Sequence, residues 1–523
     1  MKVLVREQIA DAGLELLRAR GLEVEVDTTS DLAGIIAGYD GIVIRSATKL
    51  TADLIGRADR LKVIGRAGVG VDNVDVAAAT RRGIVVANAP ESTVTSAAEH
   101  TIGLLLALAR NIPQAHAALK QGRWERSRWG GVELAGKTLG VLGFGRIGRQ
   151  VSRRALALGM RVVAYDPYVS LDRFRELGAD HAESVDDVLE VADAITLHLP
   201  LTDETRGLLD AKAYARMRDG VRIVNAARGE LIDEEALADA VRSGKVAGAA
   251  LDVFSAEPYA GPLLELDEIV VTPHLAASTE EAQDRAGVIV AEQVAAALAG
   301  EIVTYAVNIP TVDPADLEVL GPYIPLASQL GRLAMELAEG RPEKIVVATH
   351  GPLSDHDIRL LTVAALNGAF LGRVETAVNY VNAPVIAAER GIEVSEERFR
   401  ASRDYMNTVR VIVRAGGNDV EVAGTTIGPE HRLFLAHALG YGIDIELAPL
   451  MVVLSYSDVP GVIGRIGTMF GEAGVNIANM AVSRTKEGGT ALMALSIDTA
   501  APPELVERVN GEGFSHVRFI RLD

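Results

Sequence analysis

Short apolar runs recur through the first 95 residues at Val3–Val5, Val24–Val26, Gly41–Ile44, Val63–Ala67 and Ile84–Ala87, with helical stretches between them. This alternation predicts a βα-repeating unit that is complete in itself. A second series follows at Lys137–Leu142, Arg161–Ala164, Ala194–Leu197, Arg222–Asn225, Gly248–Asp252 and Ile269–Thr272. Between the two series, Ser96–Arg110 carries no charge before Arg110 except at Glu99 and His100, which predicts a buried helix joining the units. Ser278–Glu281 (STEE) reads as a capping box opening a helix to about Leu298, which would return the chain to the first unit. Two crossings of this kind make a hinge with a cleft. After Asn308 the pattern changes to a second mixed α/β region over 309–447. The last segment has the order β-α-β-β-α-β: Met451–Ser455, Val462–Ala473, Asn476–Ser483, Thr490–Ile497, Pro503–Val509 and Val517–Leu522. That order matches a ferredoxin-like sandwich.

The run LGVLGFGRIGRQ at 139–150 joins a buried strand to a glycine turn and a helix. Gly143, Gly145 and Gly148 have the G-x-G-x-x-G spacing: the first permits a tight turn, the second lets backbone approach a pyrophosphate, and the third lets helix pack on strand. The N-terminus of the helix offers unpaired N–H groups and partial positive charge to phosphates. The next strand ends at Asp166, at the distance where an acid binds ribose hydroxyls. Pro167, Tyr168 and Val169 follow, with no cation to receive a 2′-phosphate, so the pattern favours NAD over NADP. The expected fold is α/β: two Rossmann-like lobes, an α+β intervening domain and a ferredoxin-like domain. Their expected bounds are 1–95 plus 281–308, 96–280, 309–447 and 448–523.

A length of 523 residues fits several domains, and 49% hydrophobic content with only 4% aromatics implies cores of Ala, Val, Leu and Ile. The absence of cysteine excludes disulfides, thiolate nucleophiles and Cys-ligated metals, and fits a reducing compartment. Charges at Arg6, Glu7 and Asp11 argue against a signal peptide, and the longest uncharged apolar run, Thr101–Ala109, is too short to span a bilayer; the expected location is cytoplasmic, without a membrane partner. A formal charge of −19 argues against nucleic acid as a partner. An anionic substrate would need arginines gathered locally.

Three polar residues follow strands of the second series: Arg228 after IVNAA, Glu257 in DVFSAEP and His274 in TPHLAAST. Ligands of open α/β sheets bind at the carboxyl ends of the strands, where all three map. A guanidinium can clamp a carboxylate through two bonds. An imidazole can take a hydroxyl proton as hydride leaves the carbon, and a carboxylate can orient that imidazole and favour its protonated form. Taken singly, each residue also suits a structural role; their joint placement beside a dinucleotide site points to oxidation of a 2-hydroxy acid.

The chain resembles the D-isomer-specific 2-hydroxyacid dehydrogenases, in the long form with intervening and ACT domains. The resemblance rests on RSATKLT at 45–51, GRAGVGVDNVD at 65–75, NAPESTVTSAAEHTIGLLLALAR at 88–110, GFGRIGR at 143–149, NAARGELIDE at 225–234, ALDVFSAEP at 250–258 and TPHLAAST at 272–279. It implies catalysis by Arg228, Glu257 and His274, and oxidation of D-3-phosphoglycerate to 3-phosphohydroxypyruvate with NAD, the entry step of L-serine synthesis. It further implies cofactor contacts at Gly143, Gly145, Arg146, Ile147, Gly148, Asp166, Ala226, Ala227, Arg228, Asp252, His274, Leu275, Ala276 and Ala277. Arg45 and Ser46 are expected near the substrate phosphate, and the backbone of Ala67, Gly68, Val69 and Gly70 near its carboxylate, the glycines serving a turn with positive φ. Ala276 departs from the glycine common in relatives.

In the ACT-like segment, YSDVPGVIGRIG at 456–467 and GVNIANM at 474–480 match the effector pattern, so Tyr456, Asp458 and Asn476 carry over as positions for L-serine. The resemblance also implies a homotetramer. Trp124, Arg126 and Arg128 form a basic aromatic loop that suits either a neighbouring subunit's active site or a plain interface. His350, His356 and Asp357 are too loosely arranged for a metal site, and none is expected. Two alternatives stand beside the main reading. One is a glyoxylate, hydroxypyruvate or 2-oxoglutarate reductase on the same scaffold, disfavoured by the 200 or so residues beyond about 310. The other is an NAD-sensing scaffold protein, for which the trio at 228, 257 and 274 would be incidental.

Overall fold

The computed structural model describes residues 1–310, 314–375, 377–402, 404–485, 489–511 and 513–522, which build four sheets. The first contains β1 (Lys2–Val5), β2 (Glu23–Val26), β3 (Gly41–Ile44), β4 (Val63–Arg66) and β5 (Val85–Ala87), in the order β2-β1-β3-β4-β5 with every pairing parallel. The second contains β6 (Thr138–Leu142), β7 (Arg161–Tyr165), β8 (Asp180–His181), β9 (Ala194–Leu197), β10 (Val221–Asn225), β11 (Val246–Leu251) and β12 (Ile269–Val271). Its order, β12-β11-β10-β9-β6-β7-β8, is again parallel throughout. Strand β8 was not expected: two polar residues at an edge leave no apolar run to read. The chain winds one way from β6 through β7 and the other way from β9 through β12. The switch between β6 and β9 therefore opens a crevice at their carboxyl ends.

Two helices join these lobes. Val94–Arg110 buries Ser96, Ala97, Thr101, Leu104, Leu105 and Leu108 against the second sheet, but Glu99 and Leu106 stay exposed, so one face is covered and not the whole helix. Glu280–Ala299 returns to the first lobe and packs on β3, β4 and the helix Asp11–Ala19. The approach to that helix is close: a Cβ on Gly13 would stand 2.7 Å from the Gly287 carbonyl oxygen. The cap of the return helix differs from the STEE expectation. Thr279, one residue later than Ser278, accepts from the Ala282 N–H at 3.2 Å, because the Ser278 N–H is committed to the Leu275 carbonyl at 2.8 Å. The crossings are tied together: Ser96 Oγ lies 2.8 Å from Thr279 Oγ1, and Arg285 donates from Nε and Nη2 to the Ser92 carbonyl at 3.1 and 2.9 Å.

The third sheet contains β13 (Pro342–His350), β14 (Glu393–Phe399), β15 (Thr408–Ala415), β16 (Asn418–Ile427), β17 (Arg432–Ala438) and β18 (Tyr441–Glu446), antiparallel except for the β13–β14 pair. Helices Tyr323–Leu337 and Arg359–Phe370 cover it, meeting where Gly331 faces the Ala365 backbone and Gly368 the Ser328 backbone; a side chain at either glycine would collide with a carbonyl. The fourth sheet contains β19 (Leu450–Ser457), β20 (Ile477–Arg484), β21 (Thr490–Ile497) and β22 (Ser515–Arg521), in the antiparallel order β20-β21-β19-β22 of a ferredoxin-like sandwich. Met451, Val453, Leu492, Ala494 and Ile520 of this sheet belong to the same apolar core as the third, so the last two units share one interior. Among the described residues, no helix is long and apolar enough to cross a membrane.

Candidate active site

The glycine turn has the form its spacing demands. Gly143 has φ +95°, and a Cβ there would stand 2.6 Å from the His198 carbonyl oxygen. Gly148 lies so close to the Gly143 carbonyl that no side chain fits. A Cβ on Gly145 would meet nothing within 4 Å, which leaves open space directly before the helix Arg146–Ala157. No side chain caps that helix, so its first N–H groups face the open space with their partial positive charge. Asp166 stands just beyond β7 and accepts from Phe144 N at 2.8 Å and Tyr168 N at 3.0 Å, which fixes it beside the turn. These residues fit a dinucleotide: the hollow at Gly145 has room for a pyrophosphate, and a carboxylate stands beside it. Arg146 is exposed and pairs with Glu91 at 3.4 Å, while Ile147 is half-buried.

Arg228, Glu257 and His274 follow β10, β11 and β12, three neighbouring strands of one sheet, so their positions at its carboxyl edge are adjacent. Glu257 receives His274 Nδ1 at 2.9 Å on Oε2 and 3.2 Å on Oε1, and the Phe254 N–H at 3.2 Å. The side chains of His274 and Glu257 are 50% and 40% exposed, which leaves Nε2 open to a ligand. Glu234 holds the loop that carries Glu257, accepting from Ser255 N at 2.7 Å and Ser255 Oγ at 2.8 Å. Asn225 shapes the loop carrying Ala226, Ala227 and Arg228: it donates to the Arg228 carbonyl at 2.8 Å and accepts from Ala227 N at 3.0 Å.

His274 has φ +56°, held by two bonds from its N–H, to the Asp252 carbonyl at 2.8 Å and the Thr272 carbonyl at 3.0 Å. The Asp252 side chain, expected to contact the cofactor, is fully buried. It braces the loop instead, accepting from Leu275 N at 2.7 Å, Ala276 N at 2.8 Å and Thr272 Oγ1, with His100 Nε2 at 3.2 Å. Burial alone would raise its pKa, but the bonds from His100, Thr272 and the two N–H groups outweigh it, and the net shift is downward. The Leu275 and Ala276 N–H groups are thereby spent. The Leu275 side chain is exposed, Ala276 is buried, and Ala277 stands exposed beside the cleft.

The first lobe brings cations to the same place. Arg228 Nη2 lies 3.4 Å from Asp72 of that lobe, which joins the lobes across the cleft. Gly68 has φ +149°, and the hollow its missing side chain leaves is filled by the guanidinium of Arg66, a residue overlooked in the sequence. Gly70 does not have the expected positive φ. It is needed for space, since a Cβ would stand 2.5 Å from Arg228 Nη2 and 2.7 Å from Asp72 Oδ2. Burial depresses the Arg66 pKa and neighbouring Arg228 depresses it further, Asp72 and Glu7 oppose the shift without reversing it, and Arg45 adds a smaller downward push; its Nε has no hydrogen-bond partner. A half-buried, underbonded cation, depressed on balance despite two nearby carboxylates, favours an anion beside it. Glu7 sets the 45–48 loop, accepting from the N–H groups of Arg45 at 2.8 Å, Ala47 at 3.2 Å and Thr48 at 3.0 Å, and Ser46 lies exposed on it. Asn88 holds Val69 by its carbonyl at 2.6 Å, and the Gly68 carbonyl accepts from Ala89 N at 2.8 Å.

Elsewhere, Trp124 is 82% exposed and Arg128 pairs with Asp267 at 2.7 Å. His350 stacks on Phe399, His356 bonds Asp316 and Asp357 pairs with Arg359; among the described residues no group of three or more His, Asp or Glu could hold a metal. In the fourth unit, Tyr456 is buried, its ring edge-on to Phe514. Asp458 pairs with Arg484 at 2.8 Å, and Asn476 donates to Asp498 at 2.7 Å, both beside the edge strand β20.

Comparison with known proteins agrees with the fold. Residues 102–276 match the D-isomer specific 2-hydroxyacid dehydrogenase NAD binding domain, 319–436 the D-3-phosphoglycerate dehydrogenase intervening domain and 451–514 the ACT domain. A D-lactate dehydrogenase from Aquifex aeolicus, solved with NAD and lactic acid, superposes on 60% of this chain and 100% of its own with a TM-score of 0.53 and 29% identity. The chain belongs to the D-isomer-specific 2-hydroxyacid dehydrogenases and is an NAD-dependent enzyme. Within that family it is similar along its whole length to D-3-phosphoglycerate dehydrogenases: 43% identical to that of Archaeoglobus fulgidus over 100% of both chains, and 45% to that of Mycobacterium leprae over 96% of both.

One half-buried histidine beneath the turn makes acid stability informative. Burial pushes the His198 imidazole down from 6.5 to about 3, with Nε2 at 3.0 Å from Thr196 Oγ1. The unfolded chain binds this proton below 6.5 and the folded chain only near 3. The native state therefore loses stability as pH falls through that window. Urea unfolding between pH 6.5 and 4 should show a shallower slope of stability on pH in His198→Gln than in the parent; equal slopes would assign the effect to other groups.

Proposed function

We propose that this enzyme oxidises D-3-phosphoglycerate to 3-phosphohydroxypyruvate with NAD, the entry step of L-serine synthesis, and that L-serine feeds back at the ACT unit. The observation that carries the substrate assignment is the cation group Arg45, Arg66 and Arg228, gathered in a chain of net charge −19 around a loop whose glycines admit close approach. A substrate with two anionic groups suits it. Arg228 clamps the carboxylate with help from backbone N–H groups of 67–70, and Arg45 and Arg66, with Ser46, hold the phosphate. Full-length similarity to enzymes named D-3-phosphoglycerate dehydrogenase supports the same reading.

His274 Nε2 takes the C2 hydroxyl proton, and Glu257 on Nδ1 keeps the ring oriented and stabilises its positive form. The Gly143–Gly148 turn and Asp166 would hold NAD, which when bound would supply the acceptor for the hydride leaving C2. We place the unit boundaries at 1–95 plus 281–308, 96–280, 309–447 and 448–523, and take the assembly to be a homotetramer. Serine would sit beside β20, with Asp458 turning from Arg484 to its ammonium and Asn476 bonding amine and carboxylate.

An NADH-forming assay with D-3-phosphoglycerate tests the activity: His274→Ala should lower kcat by about 10²–10⁴ with NAD affinity little changed, and near-normal turnover would remove His274 from the mechanism. Asp458→Ala should keep full activity and lose inhibition by L-serine. Undiminished inhibition in that variant would locate the effector elsewhere.

A further inference from the structure

A cavity of about 620 Å³ lies at the seam between the first lobe and the intervening region, far from the cleft and unused by the chemistry above. We propose that it binds a small amphipathic organic monoanion, with an apolar body and a carboxylate-sized head. Its walls are mostly apolar: Val85 and Val303 from the first lobe, Ile324 and Leu360 from the helices of the intervening region. Volume and lining fall in the range of small-molecule sites, which favour domain boundaries. One wall is fixed, because Asn379 donates to the Gly83 carbonyl at 2.6 Å across the seam.

The polar groups around the cavity define the head. Arg60 is neutralised by Asp40 at 3.0 Å, Arg82 by Asp59 at 3.2 Å and Glu301 by Arg20 at 3.4 Å. That leaves three lining groups, the Lys62 ammonium and the Tyr380 and Thr304 hydroxyls, for which no ion pair or hydrogen bond is made among the described residues. Burial raises the Tyr380 pKa, so its hydroxyl remains a neutral donor. With Glu301 held by Arg20, the lining carries one cation in excess, and Lys62, exposed at the rim beside Asp40, supplies it; one excess cation and unpartnered hydroxyls beside an apolar hollow complement one anionic head on an apolar body, and a dianion would lack a second charge.

The location gives such a ligand purchase on both units. Asp40, Lys62 and Val85 stand at the starts of β3, β4 and β5, while Arg45 and Arg66 stand at the far ends of β3 and β4. A strand length, about 13 Å at 3.3 Å per residue, separates the cavity from the substrate cations.

The test uses the full-length enzyme and the fluorescent probe 8-anilinonaphthalene-1-sulfonate, an apolar body with one negative charge. Saturable binding should be displaced by decanoate and at least tenfold less well by decanol. Lys62→Glu should weaken both anions about tenfold or more, and Thr304→Trp, which fills the cavity, should abolish binding, with dehydrogenase turnover retained in both. If Thr304→Trp does not fold, Tyr380→Phe replaces it and should weaken decanoate. Probe binding that decanoate does not displace, decanol competing as well as decanoate, or parental affinity in Lys62→Glu would overturn the proposal.

Discussion

The buried carboxylate of Asp252 is the constraint on which the catalytic edge of the sheet depends. A charge with no exposure to solvent survives only when its oxygens are saturated, and here backbone N–H groups of 275 and 276, the Thr272 hydroxyl and His100 do that. The bonds are also what hold the backbone after β12 in a turn that sets His274 at φ +56°, a conformation a histidine adopts at some cost. His100 belongs to the helix that crosses between lobes, so the hinge and the loop of the candidate base share one electrostatic anchor.

The second theme is how an acidic chain keeps a cationic site. Glu7, Asn73 and Asn88 spend their hydrogen bonds on loop backbone, so Arg45 and Arg66 make no ion pair, although Asp72 and Glu7 offset part of the charge around Arg66. Asp72 approaches Arg228, at 3.4 Å, from an exposed position where an incoming carboxylate can displace it. The glycines of 65–70 serve the same end by space: Gly68 admits the Arg66 guanidinium and Gly70 admits Arg228.

Much of this was legible in the chain because the relevant chemistry is local in sequence. The phosphate turn is a matter of glycine spacing, and Arg228, Glu257 and His274 each follow a readable strand. Arg66 was not legible. It reads as part of an apolar βα turn, and only the hollow at Gly68 reveals its direction. Asp252 lies beside the cofactor motifs, yet its side chain points into the protein, which depends on the loop after the next strand. Tyr456 sits on a strand buried on both faces, one side in the core shared with the third sheet and the other, with Tyr456, in the core of the fourth unit, and no polar-apolar alternation marks which is which. The shared core of the last two units was equally hidden, since it arises from pairing across distant segments.

The account rests on recognition of two anionic groups on one substrate, and the most direct measurement is the ratio of kcat/KM for D-3-phosphoglycerate to that for D-glycerate with NAD. Charge-assisted bonds contribute about 1.5–3 kcal/mol each, so two on the phosphate predict a preference of roughly 10²–10⁴ at 1.4 kcal/mol per factor of ten. Equal values for the two substrates would contradict the assignment of Arg45 and Arg66 to a phosphate, and with it the proposed reaction.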